Sequence, residues 1–165
     1  MDAATLYDDD IVTWSEQQAE ALRRLAAKPE LSNLVDWTNI IEEIECLGRS
    51  EWRAVESLLI QALAHILKRY CDPDSLSRLA WEIETNTFLR DARRRYRPSM
   101  RQALDIDDIW RRAFEGASQE LVTYKRRVPP GIPDRSPFPL NDLLEPSFTH
   151  ETAVRQLYAS LDGSH

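Results

Sequence analysis

"DWTNIIEEIECLGRSEWRAVESLLIQALAHILKRY", residues 36–70, decides the fold. Its apolar residues recur at three- and four-residue steps: Trp37, Ile40, Ile41, Ile44 and Leu47 first, then Trp52, Val55, Leu59, Ala62, Ile66 and Tyr70, reinforced by Leu58, Leu63 and Leu67. That spacing is one face of an α-helix, not the period-two alternation of a strand. Asp36 suits an N-cap, and Gly48 suits the left-handed position that closes a helix. Two helices forming a hairpin are therefore expected, one over 36–48 and a central one capped by Ser50.

The same period extends outward in both directions. A first helix is expected to open within "YDDDIV" and carry Ile11, Trp14, Ala21, Leu22 and Leu25 until Pro29, with Pro29 and Asn33 in the connection. After the central helix, "CDPD" offers Asp72 as N-cap and Pro73 at the first helical position, and Pro98 ends that fourth helix. Leu76, Leu79, Ala80, Ile83 and Phe88 are its expected buried residues. Ser99 opens a fifth segment with Met100, Ala103, Trp110, Ala113, Phe114, Ala117, Leu121 and Tyr124 at helical spacing, where "DIDD" and Gly116 are the candidate interruptions. Most of the nine prolines fall in 128–148, which reads as an extended strap pinned by Phe138, Leu140, Leu143 and Leu144. A short helix follows Thr149, with His150 in this tail. The fold class is all-α: a single compact bundle of about five helices with a Pro-rich C-terminal strap and a short terminal helix. Residues 1–148 form the expected helical domain, and 149–165 a C-terminal extension.

Composition bounds the setting. With 165 residues, 42% hydrophobic and 30% charged, the chain is the size of one folded domain. No apolar run approaches the ~20 residues of a membrane helix, and the acidic start "MDAATLYDDDIV" is no secretory signal, so a cytoplasmic protein is expected. Cys46 and Cys71 are too few and too isolated for a disulfide framework or zinc cluster and read as small buried apolar residues. The net charge of −7 is uneven: residues 1–60 hold 13 acids against 5 bases, residues 61–127 hold 10 against 14, and residues 128–165 hold 5 against 2. An acidic element beside a basic one, or a basic docking face, fits that asymmetry.

Three constellations could carry chemistry. Glu42, Glu43 and Glu45 crowd one helix, but at ~100° per residue they diverge, with Glu42 nearly opposite the apolar stripe. No Glu-x-x-His pair exists to build a di-metal bundle site, so no metal site and no cofactor is expected. Across the expected hairpin, His65 could meet one of these glutamates and act in acid–base or metal chemistry. In "RDARRRYRPSMR", six arginines from Arg90 to Arg101 surround Tyr96; Arg93, Arg94, Arg95 and Arg97 are candidate partner-binding residues. They suit phosphate contacts or, against the acidic remainder of the chain, internal and protein-partner ion pairs. There is no glycine-rich elbow around a serine and no phosphate-cradling loop, which leaves nucleophilic catalysis and standard nucleotide binding without parts.

The segments "YDDDIVTWSEQQAEALR", "LVDWTNIIEEIECLGRSEWRAVES", "LLIQALAHILKRYCDP" and "SPFPLNDLLEPSF" in this order resemble the bacterial family known as domain of unknown function 29. The likeness covers residues 6–148 and implies a compact α-helical protein; no activity, cofactor or partner comes with it. Residues of the family pattern are Asp8, Trp14, Trp37, Glu42, Glu43, Glu45, Gly48, Ser50, Glu51 and His65. Segment 74–97 departs from it. The reading that follows is a non-enzymatic interaction or adaptor module with an unknown protein partner or a second copy of itself, and no membrane contact. Its alternatives are an enzyme or metal binder using Glu42, Glu43 or Glu45 with His65, and a nucleic-acid binder using the Arg90–Arg101 cluster.

Overall fold

The computed structural model describes residues 3–28 and 35–162, with the side chains of Ala3, Ala4, Leu161 and Asp162 excepted. The chain is all-α: among the described residues there are seven α-helices, one 3-10 helix and no strand. They are α1 (Ala3–Asp9), α2 (Ile11–Ala26), α3 (Trp37–Cys71), α4 (Arg78–Arg95), the 3-10 helix Pro98–Gln102, α5 (Ile106–Thr123), α6 (Leu140–Leu144) and α7 (His150–Asp162). The connection expected at Pro29 and Asn33 lies outside the described residues.

The largest departure from expectation is α3, which runs unbroken through Gly48. Asp36 does cap it, accepting from the Asn39 amide at 3.2 Å. Gly48, however, closes nothing. A Cβ at this position would lie 2.2 Å from Ser15 Oγ and 3.5 Å from Val12 Cα, so glycine marks the place where α2 crosses α3. Ser50, expected as a cap, is inside the helix and donates its hydroxyl to the Leu47 carbonyl at 2.8 Å. The expected hairpin therefore does not exist.

The described chain gathers into two compact units. The first combines the chain up to Ala54 with Tyr96–Ala103. Asp10 caps α2 by accepting from the Thr13 amide at 3.1 Å, which leaves α1 as a separate short helix packed on α2 with Tyr7 edge-on to Trp14 at 4.9 Å. Small residues form the α2–α3 contact: Ser15 and Ala19 are buried, and Val12 beside them. Pro98 pushes Arg97 into extended geometry, and the 3-10 helix packs on α2 through Met100 and a hydrogen bond from Ser99 Oγ to Asp10 Oδ1 at 2.8 Å.

The second unit combines Val55–Arg95 with the chain from Leu104 onward. Val55, Leu59, Ala62, Leu63, Ile66 and Leu67 of α3 are fully buried, as the period of that stretch predicts, and α5 meets this core with Ile109, Trp110, Ala113, Ala117 and Leu121. "DIDD" does interrupt the fifth segment: Asp105 caps α5 through the amides of Asp107 and Asp108. Gly116 does not. The proline-rich segment enters the core. Phe138 is fully buried between Trp110 and Phe148, at ring distances of 5.9 and 5.4 Å, and Trp110 Nε1 donates to the Pro133 carbonyl at 2.8 Å.

The fourth helix needs two corrections. Asp72 and Pro73 lie in the turn after α3, and α4 starts only at Arg78. Its inward residues are Trp81, Thr85, Leu89 and Ala92, whereas Leu76, Leu79 and Ile83, expected inside, are 98%, 62% and 67% exposed. Both stripes have helical spacing. The one through Leu79 and Ile83 runs on into Arg90, while the one through Trp81 stays free of charge to Ala92, and only that one can be buried along its whole length.

Candidate functional site

The acidic stretch of α3 opens to solvent. Glu42 and Glu43 are exposed. Glu45 is half-buried, ion-paired to Arg23 of α2, with Arg49 Nη1 at 3.8 Å on the next turn. Arg23, Thr38, Ile41, Glu42, Glu45 and Arg49 line a surface cleft of about 380 Å³ there. Glu45 and His65 lie twenty residues apart in the sequence of one uninterrupted helix, and each faces a charged partner of its own unit, Arg23 for Glu45 and Glu84 for His65. The glutamates and the imidazole are not brought together.

His65 has another carboxylate. Its Nδ1 lies 3.4 Å from Glu84 Oε2 of α4, without a geometrically sound hydrogen bond, and its ring tilts against Phe88 at 5.6 Å. Burial, and then the Lys68 ammonium one turn on, lower its pKa to about 4 against the opposing pull of Glu84 and Glu120. Lys68 is itself buried, its Nζ 2.7 Å from Glu120 Oε2 and 5.6 Å from the Trp81 ring centre. His65 is thus a neutral imidazole at pH 7, and a proton acceptor of pKa about 4 is badly matched to general-base work at neutral pH. Among the described residues no three His, Cys, Asp or Glu side chains are grouped to hold a metal ion.

His150, which the sequence places in the tail, is only 3% exposed at the start of α7. Its amide donates to Asn86 Oδ1 of α4 at 2.9 Å, its Nε2 has no hydrogen-bond partner, and burial lowers its pKa. The available signal is Thr149 just before it, a helix-capping residue type three positions ahead of Thr152, whose amide donates to Thr149 Oγ1 at 3.3 Å.

The arginine cluster separates into two kinds. Arg93 points inward and donates to the carbonyls of Leu143 at 3.0 Å and Phe148 at 2.6 Å, fastening the proline-rich segment to α4. Arg97 donates to the Asp9 carbonyl at 2.6 Å within the first unit. Arg94 and Arg95 are exposed, and Arg94 and Arg90 each stand 3.8 Å from Asp91. Sequence can count these arginines but not tell carbonyl clamps from surface charge.

The exposed side of α4 is the feature sequence reasoning missed. Leu76, Leu79 and Ile83 are more exposed than the aliphatic residues Leu25, Ile40 and Leu47 of the first unit, which reach 40–42%. Isolated apolar residues on a surface are ordinary, but a helical stripe of them is an interaction signature.

Residues 6–149 match the family described as Domain of unknown function DUF29, and the chain belongs to it. It is also similar to an α-helical protein of unknown function from Rhodospirillum rubrum ATCC 11170, whose crystal structure shares 30% identity and a TM-score of 0.83 over 92% of this chain and 96% of that one. No curated protein matches.

Proposed function

We propose that this chain is a non-enzymatic protein-interaction module. The supporting observation is the second apolar face of α4 and the turn before it: Leu76, Leu79 and Ile83 stand in solvent while Trp81, Thr85, Leu89 and Ala92 fill the core behind them. A helix with two apolar faces and only one covered has a surface to spare for a partner. Arg93 and Arg97, tied to backbone carbonyls, support a structural role for these two of the six arginines in place of a phosphate grip. The free thiols Cys46 and Cys71 suit a reducing, bacterial cytoplasm, which is where we place the module.

Affinity capture of the tagged chain from its own cells tests this reading, with Leu79→Asp/Ile83→Asp as the control. The expected result is a set of bound chains, copies of the bait included, that is lost in the double variant. Capture that is identical for both proteins refutes the reading.

A further inference from the structure

We propose that the occupant of the α4 stripe is a second copy of this chain, its α4 packed antiparallel across a two-fold axis. The inference rests on the interaction-module reading and adds the partner's identity. Charge selects it. The leading end of the stripe carries exposed Asp74 in the turn, with Arg69 donating to the neighbouring Pro73 carbonyl and Glu82 turned toward His150, whereas the trailing end carries Arg90 and Arg94, 70% and 75% exposed and each 3.8 Å from Asp91. Arg78, a cation near the leading end, lies about 120° around the helix from the stripe. A parallel partner of the same kind would set acid on acid. An antiparallel copy sets Leu79 of each chain against Ile83 of the other and brings Arg90 of each beside Asp74 of the other, with the helix dipoles opposed. A two-fold contact requires one patch to complement itself, and the Asp74 and Arg90 ends of this patch do so in charge. Neither face competes with the core, because both aliphatic residues sit on the side of α4 turned away from Trp81 and Leu89.

A single helix pair is a small interface, so dissociation in the micromolar range is expected. Sedimentation velocity of the full chain from about 2 to 200 µM reads it. The wild type should move from monomer to dimer across that range, while Leu79→Asp and Ile83→Asp stay monomeric with an unchanged helical circular dichroism spectrum. Arg90→Glu should weaken the dimer by about tenfold, and Asp74→Arg with Arg90→Glu should restore it to within about threefold of wild type. A wild-type monomer at about 200 µM overturns the proposal, as does a dimer indifferent to Ile83→Asp, or a charge swap without recovery. If the chain is monomeric but Leu79→Asp/Ile83→Asp still abolishes capture of other proteins, the module reading stands and the self-association fails alone. If both fail, the stripe has no partner.

Discussion

The two units are held together by different means. In the first, the α2–α3 crossing is made by small groups, Ser15 and Gly48, so the helix backbones approach closely there, and among the described residues few large side chains are buried. Ion pairs such as Arg23–Glu45 and a clamp from Arg97 to the Asp9 carbonyl finish the surface. In the second, Leu59, Leu63, Ile66, Leu67, Leu89, Trp110, Phe138 and Leu143 are all fully or almost fully buried. Close approach tolerates almost no added volume and gains little from the hydrophobic effect; a large-residue core gains much from it and suffers most from a cavity. The units should therefore respond to opposite kinds of substitution.

The largest effect is expected from removing volume in the second unit. Phe138→Ala should cost about 3–5 kcal/mol in urea unfolding, because the ring between Trp110 and Phe148 leaves a hole the surrounding helices cannot fill. A loss below about 1 kcal/mol would mean that the proline-rich segment is only laid over the core.

Adding volume should dominate in the first unit. Gly48→Val must push α2 away, since the Val12 backbone stands at 3.5 Å and cannot rotate aside; a loss of about 3 kcal/mol is expected, with faster amide exchange in α2. Gly48→Ala meets chiefly the Ser15 hydroxyl, so the gain of about 1 kcal/mol in helix propensity should nearly offset the clash. Pairing it with Ser15→Ala should leave the protein at least as stable as the wild type. If Gly48→Val is tolerated, the close-crossing account is wrong.

A smaller, pH-dependent difference belongs to the second unit. His65 titrates near 4 when folded and near its ordinary 6.5 when unfolded, so as pH falls through that interval the unfolded chain takes up the proton first. Stability from this group is intact above about pH 6.5 and declines toward pH 4, by about 1–2 kcal/mol once residual solvent access is allowed for. His150, shifted in the same direction, adds to the slope. The melting temperature of the wild type should fall relative to that of His65→Leu as pH drops from 7 toward 4, whichever is higher at pH 7; parallel curves would remove the buried neutral imidazole from the account.

The smallest effect should come from the ion pairs of the first unit. Arg23→Ala removes a half-exposed partner of Glu45 and should cost no more than about 0.5 kcal/mol, less at high salt. A cost comparable to Phe138→Ala would erase the contrast between the units.

Much of the architecture is legible in the chain itself. Asp36 and Thr149 announce helix starts, "DIDD" announces a break, and the apolar period of 55–67 names most of the α3 core, although Leu58 is only half-buried and Ile40 and Leu47, on the inward face expected upstream, are 41% and 42% exposed. Gly48 misleads because its lack of a side chain serves two purposes: it permits a left-handed helix end and it permits a neighbouring helix to come close. Nothing local distinguishes them when the partner, Ser15, is more than thirty residues away. The same limit hides Glu84 as the neighbour of His65 and turns α4 the wrong way round. His150 escapes because one histidine in a polar stretch carries no periodic signal.

Sequence by itself determined that the chain is all-α, where several of its helices begin, and most of the buried residues of α3 beyond Val55 and of α5, because backbone capping and the 3.6-residue period act over a few neighbouring residues. Only the tertiary structure decided that Gly48 is a crossing point, that the glutamates and His65 stand apart on one helix, and which apolar stripe of α4 goes inside. These depend on what other helices bring to the same place, and that competition for buried space is settled by packing across long separations in the chain.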